Sequence, residues 1–520
     1  MSVTIILIVI MFIFVGRFLS KKSTNHSLCP LPPGPTPLLF FGCAIQMLLN
    51  KPTFRWVDKL MDQFDTPILC LRLGPSTHVI AVSSPEIACE FLKKQDEIFI
   101  SRPEVLSAYL ISGGYRTAVM SPYGEQWRKM KRIINREVLS PPIQKWLQPK
   151  RDEEADQVLR YICNQIERQD SIVGGALINI RAVSQHFFGN AMRNIIFGKR
   201  FFGKGMEDGG PGEEETEHVA ALFLLLKYLY AFCITDYFPW LSGKTDFDGH
   251  EKIIRTAIQN VRKYQDPLID ERIQMWNNGD RKEKSDILDV LITLENPKLT
   301  PEEIKAEFFE LMMATIDNTS NAIEWTIAHM INDTMILKRA VEELEHVVGR
   351  QRLVEEQDIP QLNYIKAYIK EAFRLHPFVS FVPPHVSTID TTVAGYFIPK
   401  GSHVILSRYG VGRNPNVWPD PLLFNPDRHP HGEEKQVVLT DNNLRLISFS
   451  TGKRGCPGMM LGTIMTTMLL ARMLQGFTWE APDNVRLIEL VENHHDDICL
   501  AKPLLAIAKP RLPECMYPTY

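Results

Sequence analysis

The segment Phe449-Ser-Thr-Gly-Lys-Arg-Gly-Cys-Pro-Gly458 is the strongest signal in the sequence. It fits the pattern F-x-x-G-x-R-x-C-x-G, which chance would place in a chain of this length about once in ten thousand cases. Gly452 permits a tight turn. Cys456 stands directly before Pro457 and an apolar stretch with helical character, so we expect Cys456 to cap that helix and Pro457 to occupy its first position. Backbone N–H groups at the helix start should then lower the pKa of the thiol.

A thiolate in such a loop suits one kind of chemistry. On haem iron it pushes electron density toward bound oxygen and favours O–O cleavage, and Arg454 has the charge and reach to meet a haem propionate. A buried structural cysteine is the alternative, and the rarity of the pattern disfavours it. The segment resembles the haem-binding loop of the cytochrome P-450 superfamily. The resemblance implies that Cys456 ligates iron and that Phe449, Gly452 and Arg454 contact haem b.

The same resemblance implies a mainly α fold with small β-sheets, in which haem lies between a long central helix and the cysteine loop. The clearest helix in the sequence opens with a capping box at Thr300-Pro-Glu-Glu303 and runs to about Ile331, a length of roughly 45 Å. Short alternating segments at 67–82 and 392–406 predict hairpins, and the acidic, Gly-rich stretch 204–217 predicts a surface loop.

Other motifs also match the superfamily. Glu371-Ala-Phe-Arg374 matches E-x-x-R, and Arg428 in Pro-Asp-Arg would supply a second arginine to the same carboxylate. A buried carboxylate shared in this way is rigid, so its expected role is to hold the cysteine loop in place. Taken alone, E-x-x-R is more often a surface ion pair. Trp127 and Lys131 match the helix that reaches the haem propionates, although Lys131 lacks the bidentate geometry of the more usual Arg.

The long helix carries Ala314-Thr-Ile-Asp-Asn-Thr-Ser320, aligned with the superfamily's A-G-x-D-T-T over the oxygen-binding face. Asp317 keeps the acid, whereas Asn318 replaces the alcohol that usually helps to deliver protons. We therefore assign Asp317, Asn318 and Thr319 to catalysis and expect an altered relay, with water held between Asn318, Thr319 and Ser320. The alternative is that these polar residues only kink a buried helix.

The replacement at Asn318 points to one branch of the superfamily. The chain resembles the plant amino-acid N-monooxygenases at Asp317-Asn318 and Ser320-Asn321-Ala322, at His376-Pro377 and Pro384-His385-Val386, and at 448–452. Thr319 and Lys453 depart from that family's common Pro and Arg. The resemblance implies that an L-amino acid is hydroxylated twice on nitrogen and then loses water and carbon dioxide to give an aldoxime, as in glucosinolate or cyanogenic glucoside biosynthesis.

Two alternatives to this function stay open. One is a monooxygenase of another hydrophobic plant metabolite, such as a terpenoid, phenolic or fatty acid. The other is a haem-thiolate isomerase or dehydratase, or a haem-binding module without turnover.

An amino-acid substrate needs a fixed donor for its carboxylate and a poorly solvated pocket that favours the neutral amine. The candidate donors are Arg116, Thr117 and His385. Apolar side chains are expected to form the pocket wall and to accept an aliphatic or aromatic substrate side chain: Phe378, Val379, Phe381 and Val382.

Electrons must come from a partner, because the sequence contains no nucleotide, flavin or iron–sulfur motif. The resemblance implies a membrane-bound, NADPH-dependent flavoprotein reductase. A candidate docking face, with a merely solvated charge run as the alternative, consists of Arg128, Lys129, Arg132 and Lys453. The balance of 58 basic and 61 acidic side chains, a net charge of −3, argues against a nucleic-acid partner.

The amino terminus differs from the rest of the chain. We expect residues 1–20 to be a membrane anchor, 21–37 a proline-rich linker and 38–520 the catalytic domain. Basic residues after the apolar run, beginning with Arg17, place the catalytic domain in the cytosol at the endoplasmic reticulum membrane, with a cleaved signal peptide as the rival interpretation.

The nine scattered cysteines fit a reducing compartment. The N-x-S/T sites at Asn25, Asn318 and Asn332 should then stay unglycosylated.

Overall fold

The computed structural model describes residues 29–169, 174–241, 246, 248–429, 436–493 and 497–518. The predicted anchor and the first part of the predicted linker lie outside the described residues. Among the residues that are described, we find no helix with both the length and the apolar character needed to cross a bilayer.

Helix is the main state of the fold, as the resemblance implied. The α-helices are α1 (Ala44–Leu49), α2 (Thr53–Gln63), α3 (Pro85–Cys89), α4 (Leu106–Ile111), α5 (Glu125–Ile133), α6 (Pro141–Trp146), α7 (Gln148–Arg168), α8 (Ile180–Phe197), α9 (Glu213–Tyr228), α10 (Ile234–Tyr237), α11 (His250–Asn278), α12 (Ile287–Ile292), α13 (Pro301–Asn332), α14 (Thr334–Val347), α15 (Asn363–Leu375), α16 (Arg408–Gly412) and α17 (Met459–Gly476).

The strands form small sheets beside the helical body. They are β1 (Ile68–Leu73), β2 (Thr77–Val82), β3 (Ala176–Asn179), β4 (His385–Val386), β5 (Thr391–Val393), β6 (Tyr396–Ile398), β7 (His403–Leu406), β8 (Phe477–Glu480) and β9 (Leu505–Pro510). One sheet has the order β1-β2-β7-β4, a second has the order β3-β9-β8, and β5 pairs with β6. Both predicted hairpins are confirmed, because β1 pairs antiparallel with β2 and β5 pairs antiparallel with β6. Strand β7, the last part of the predicted segment 392–406, lies outside the β5–β6 hairpin and pairs in parallel with β2.

Helix α13 crosses the body and confirms the predicted long helix. Its start is fixed by reciprocal bonds: Thr300 Oγ1 accepts from Glu303 N at 3.2 Å, and Glu303 Oε2 accepts from Thr300 N at 2.9 Å. With 32 residues it is about 48 Å long. It packs against α8, α9, α11, α15 and α17, and most of its side chains are buried. The main hydrophobic core therefore surrounds this helix.

The surface loop predicted at 204–217 is wrong from Glu213 onward, where α9 begins. The reason is Glu215, which is 1% exposed. Its carboxylate accepts the backbone N–H groups of Phe202, Gly203 and Gly212, so it joins the loop to the start of α9. The acidic composition of this segment therefore reflects helix capping in part.

Candidate active site

The cysteine loop is folded tightly on itself. Gly452 has a φ of +74°, and a Cβ atom there would lie 2.6 Å from the carbonyl oxygen of Leu92, so only glycine fits without strain. Two short bonds close the loop: Gly455 N donates to Gly452 O at 3.0 Å, and Cys456 N donates to Phe449 O at 2.8 Å. The predicted tight turn at Gly452 is confirmed.

Cys456 does not cap the following helix, which corrects one sequence prediction. Helix α17 begins at Met459 with Gly458 as its cap residue, so neither Cys456 nor Pro457 is helical. The bond from Cys456 N to Phe449 O keeps the cysteine in the loop. Burial raises the pKa of the Cys456 thiol, and the N–H of Gly458 and the charge of Arg408 lower it by less. The predicted depression of the thiol pKa is therefore wrong for the protein without metal; a bound metal ion is what deprotonates such a thiol.

Cys456 opens into a cavity of about 370 Å³. The cavity is lined by the cysteine loop and by one face of α13, on which Ala314, Asn318 and Thr319 lie. Phe449 also lines it, and its ring stands edge-on to Phe373 at 5.7 Å between centroids. The thiol and the polar part of α13 therefore share one enclosed space, which is the arrangement expected for haem between helix and loop.

Several cations line this cavity without a carboxylate partner. Arg102 and Arg454 are buried, Lys131 and Arg408 are half-buried, and within the described ranges no carboxylate lies within 4.0 Å of any of them. Burial lowers the pKa of Arg454 to about 9, with a further lowering by Arg102, and burial lowers the pKa of Arg408 to about 10. A buried cation needs a counter-charge. The two propionates of haem b would supply it, so the residues present fit haem.

Arg454 is held in place by contacts that leave it at the cavity wall. Its Nε donates to the carbonyl of Ile100 at 2.6 Å, and its Nη2 donates to the carbonyl of Ser121 at 2.8 Å. The guanidinium lies 4.4 Å from the ring centre of Trp127. Lys131 lies 5.0 Å from the same ring centre and donates to the carbonyl of Lys453. The structure thus brings together the three residues that the sequence assigned to the propionates.

The polar residues of α13 divide between two environments. Asn318 and Thr319 line the cavity, and the Thr319 hydroxyl donates to the carbonyls of Thr315 and Ile316. Ser320 is buried and donates to Ile316 O at 2.6 Å, so it does not join the predicted water site. Asp317 is fully buried outside the cavity lining, and its carboxyl oxygens have no hydrogen-bond partner in the described part of the chain. Burial, and then Asp497, raise its pKa well above the ordinary value.

Some of the predicted substrate contacts line the cavity and others do not. The apolar set lines the cavity: Phe378, Val379, Phe381 and Val382. The three candidates for the carboxylate do not line it. Arg116 is exposed, Thr117 is fully buried, and His385 is buried with Nδ1 at 2.7 Å from the carbonyl oxygen of Phe99. In the chain, Arg116 and Thr117 follow a turn in which Gly113 and Gly114 have positive φ, and His385 is the first residue of β4.

Glu371 and Arg374 form the buried pair that the sequence predicted. Both are 0% exposed, with Arg374 Nη2 at 2.7 Å from Glu371 Oε1 and Nε at 2.9 Å from Oε2. Arg428 Nε lies 3.3 Å from Glu371 Oε1. The sequence missed His429, whose Nε2 lies 2.9 Å from Glu371 Oε2. Burial alone would raise the pKa of Glu371, but Arg374 and His429 lower it to about 2.

This buried network holds a different segment from the one expected. Arg374 donates to the carbonyls of Gly412, Pro421 and Leu423. Arg428 donates to those of Pro419, Asp420 and Leu423. These bonds fix residues 412–428 rather than the cysteine loop itself, so any support of the loop is indirect.

Several charged residues at the cavity were missed by the sequence reasoning: Arg102, Lys227, Glu307, Glu310, Arg408 and Asp497. Lys227 Nζ lies 3.9 Å from Asp497 Oδ1. For Glu307 and Glu310 a signal did exist, because both acids stand on the cavity-facing stripe of a helix that is otherwise buried. The other four lie on separate elements, and only the fold brings them together.

Comparison with known proteins agrees with this geometry. The cytochrome P-450 family model matches residues 32–505. A valine N-monooxygenase of Manihot esculenta is 51% identical, over 98% of this chain and 94% of the relative. A tyrosine N-monooxygenase of Sorghum bicolor is 50% identical, over 94% of this chain and 88% of the relative. A tryptophan N-monooxygenase of Arabidopsis thaliana is 50% identical, over 94% of this chain and 90% of the relative.

A solved structure shares the fold. A zebra fish cytochrome P-450 with abiraterone aligns with a TM-score of 0.68 over 89% of this chain and 100% of that chain, at 19% identity. Since the family model spans most of the sequence and the cavity presents a cysteine thiol beside buried cations, the chain belongs to the cytochrome P-450 family of haem-thiolate monooxygenases.

Proposed function

We propose that this protein is an amino-acid N-monooxygenase that hydroxylates its substrate twice on nitrogen and yields an aldoxime. The observation that carries the proposal is sequence identity of 50–51%, over 94–98% of this chain, to relatives named as valine, tyrosine and tryptophan N-monooxygenases. The geometry supports it, because Asn318, which replaces the usual alcohol, lies at the cavity in which Cys456 opens.

The residues at the cavity have separable tasks in this proposal. Cys456 supplies the sulfur ligand, and Lys131, Arg454 and Arg102 supply counter-charge to the propionates. Haem bound in this way provides oxygen activation. The apolar wall at 378–382 excludes water and packs against the substrate side chain, while Asn318 and Thr319 hold the water that carries protons.

The proposal is tested by supplying the purified haem-loaded protein with a reductase, NADPH, oxygen and each common amino acid in turn. We expect an aldoxime from one amino acid or a few, identified by mass spectrometry. Oxidation of terpenoid, phenolic or fatty-acid substrates with no aldoxime from any amino acid would overturn the proposal. Conversion that needs neither NADPH nor oxygen would instead indicate an isomerase or dehydratase.

We also propose that an NADPH-dependent flavoprotein reductase docks beside the cysteine loop. Arg128 and Arg132 are exposed there, while Lys129 pairs with Glu303 at 2.7 Å and Lys453 pairs with Glu97 at 2.6 Å. The two exposed arginines are therefore the residues that a negatively charged partner would meet first. Arg132→Glu should weaken reduction by the reductase and leave chemical reduction of the haem unchanged.

The membrane location is likewise a proposal, with residues 1–20 as the anchor in the endoplasmic reticulum membrane and 38–520 as the cytosolic catalytic domain. Support comes from exposed apolar side chains that directly follow the proline-rich linker: Leu38, Leu39, Phe40, Phe41, Leu48 and Leu49. Phe40 lies 5.2 Å from exposed Trp240, ring centre to ring centre, so the patch extends to the segment after α10. An apolar patch of this kind marks a membrane or protein contact.

Glycosylation tests this topology, and the structure describes two of the three N-x-S/T sites. Asn318 lines the cavity, and Asn332 exchanges two bonds with the backbone of Ile488, at 2.9 and 2.7 Å. Both side chains are half-buried, so glycan at either position would conflict with these contacts. Asn25 lies outside the described residues, and glycan at Asn25 would contradict the cytosolic orientation.

A further inference from the structure

Two glutamates on α13 face the cavity and have no place in the mechanism above. Glu307 is 0% and Glu310 is 3% exposed, and both line the cavity. Glu310 stands one turn before Ala314 and Glu307 two turns before it, about 6 Å and 10 Å along the helix axis. They therefore continue the row of cavity-facing positions that ends at Asn318.

Their hydrogen bonds differ in one respect. Glu310 Oε1 accepts from Val119 N at 2.9 Å, and Oε2 accepts from Met120 N at 3.3 Å. Glu307 Oε2 accepts from Ala118 N at 3.1 Å. Glu307 Oε1 is buried and has no hydrogen-bond partner among the residues that the structure describes. Three of the four carboxyl oxygens accept hydrogen bonds from the backbone of the segment 118–120. The fourth, Glu307 Oε1, is buried and would need a different partner.

Ionising a carboxyl group of this buried pair is costly unless a cation lies beside it. Burial raises the pKa of Glu307 well above its ordinary value, and Glu310 raises it further. Burial raises the pKa of Glu310 to about 7, while bonds to the segment 117–120 and the charge of Arg454 lower it. Both pKa values are raised, so a carboxylate of this pair takes up a proton more readily than a free glutamate does. Arg102 and Arg454 are the nearby cations, and neither is within 4.0 Å of Glu310 in the described part of the chain.

We propose that Glu307 and Glu310 form the subsite that binds the α-amino group of the substrate and takes up one of its protons. The inference rests on the proposed function, because it assumes an α-amino acid. An N–H bond of the ammonium group breaks and its electron pair stays on nitrogen, while the proton forms an O–H bond on the carboxylate. The carboxylate that accepts the proton becomes neutral, and the amine becomes neutral. The nitrogen then has the free lone pair that N-hydroxylation needs, and no oxidant is consumed.

The test compares two substrates in the haem-loaded protein. Glu307→Gln keeps an oxygen for Ala118 N and removes the titratable oxygen. The first substrate is L-valine, L-tyrosine or L-tryptophan, whichever the wild type converts fastest. The second is the N-hydroxy derivative of the same amino acid, whose nitrogen is much less basic and reaches the site without its extra proton. We expect kcat/KM to fall by at least about tenfold for the amino acid and by less than about threefold for the N-hydroxy derivative.

Controls separate this role from a structural one. Glu302→Gln changes an exposed acid in the first turn of the same helix and should leave both substrates unaffected. The carbon monoxide spectrum of each variant reports folding and haem loading. An equal loss with both substrates would show that Glu307 only positions the segment 118–120, and no loss with either would show that the subsite lies elsewhere; each result overturns the inference. If the wild type converts no amino acid, the proposed function fails, and the inference fails with it.

Discussion

At the scale of single residues, the cavity contains ionisable groups whose pKa values are shifted and which have no carboxylate partner within the described residues. The Cys456 thiol, which opens into the cavity, has a raised pKa, and the guanidinium groups of Arg408 and Arg454 have lowered pKa values. Cys456 would bind iron as a thiolate, and the two arginines would pair with the propionates. Bound haem would therefore balance these charges as well as supply the chemistry.

Replacing the cysteine sulfur tests the iron ligand. Cys456→Ser should abolish the strongly red-shifted absorption of the reduced protein under carbon monoxide and should abolish product formation, because a serine oxygen does not donate electron density as a thiolate does. Absorption spectra of the purified variant and aldoxime yields provide the measurement. Cys515→Ser, at an exposed cysteine, is the matched control. Turnover retained by Cys456→Ser would contradict the assignment.

Asn318 tests the proton relay at the same scale. Asn318→Ala removes the polar group that faces the cavity beside Thr319. We expect less aldoxime per NADPH consumed, by severalfold, since water that is no longer held cannot deliver protons in step with electrons. NADPH oxidation and product are measured in the same reaction. Unchanged coupling would remove Asn318 from the relay.

At the scale of secondary-structure elements, α15 and the segment 412–428 depend on one buried carboxylate. Glu371 meets Arg374, Arg428 and His429, while Arg374 and Arg428 bind backbone carbonyls along that segment. A buried pair with all its bonds made is rigid, and removing one member leaves the other charge stranded. The network therefore joins a helix to a long irregular stretch that has little other regular structure.

Two substitutions compare how much a buried and an exposed carboxylate contribute to the free energy of unfolding. Glu371→Gln should lower the free energy of unfolding by about 3–5 kcal/mol and reduce haem loading, because Arg374 stays buried without its counter-charge. Asp427→Asn, which breaks an exposed pair with Arg339 at 2.8 Å, should change it by about 0–1 kcal/mol. Denaturant unfolding of both variants gives the comparison, and similar losses would show that burial of the pair is not decisive.

The pH dependence of this element follows from the low pKa of Glu371. The folded value of about 2 lies below the value of about 4.3 for an unfolded glutamate, so ionised Glu371 stabilises the fold above that range. The stabilisation is lost as pH falls from about 4.3 toward 2. Denaturant unfolding at pH 6 and pH 3 should therefore show a smaller difference between wild type and Glu371→Gln at pH 3. A difference that does not shrink would place the effect on other groups.

At the scale of the whole molecule, the chain encloses its reaction space and exposes an apolar face. The cavity is bounded by residues from many elements along the chain, from Thr53 to Asp497. The apolar patch at 38–49 stands beside Trp240, next to the position where the linker enters the body. A second contact with the membrane would orient the catalytic domain, which a single anchor does not do.

Vesicle binding tests this orientation. A protein lacking residues 1–20 should still bind neutral phosphatidylcholine vesicles in a flotation assay, and Phe40→Ser with Trp240→Ser should weaken that binding by at least about tenfold, given the apolar area lost. Met335→Ser, at an apolar side chain that is 65% exposed on α14, is the control. No vesicle binding by the shortened protein would show that the anchor acts alone.

The features that depend on local patterns could be predicted from the amino-acid sequence. The cysteine motif predicted the loop that opens into the cavity, the capping box at Thr300 and Glu303 located the start of α13, and the spacing of Glu371 and Arg374 placed both on one helix face. These features are readable because neighbouring residues on one turn or one helix meet whatever the rest of the chain does.

The tertiary structure alone decided what depends on distant segments. Whether Arg116, Thr117 and His385 line the cavity depends on how their segments pack, and His429 meets Glu371 across 58 residues. The net pKa of Cys456 is also a tertiary property, because it depends on burial and on Arg408. Sequence spacing carries no information on such pairings, since desolvation and long-range charge are fixed only when the separate elements pack around one cavity.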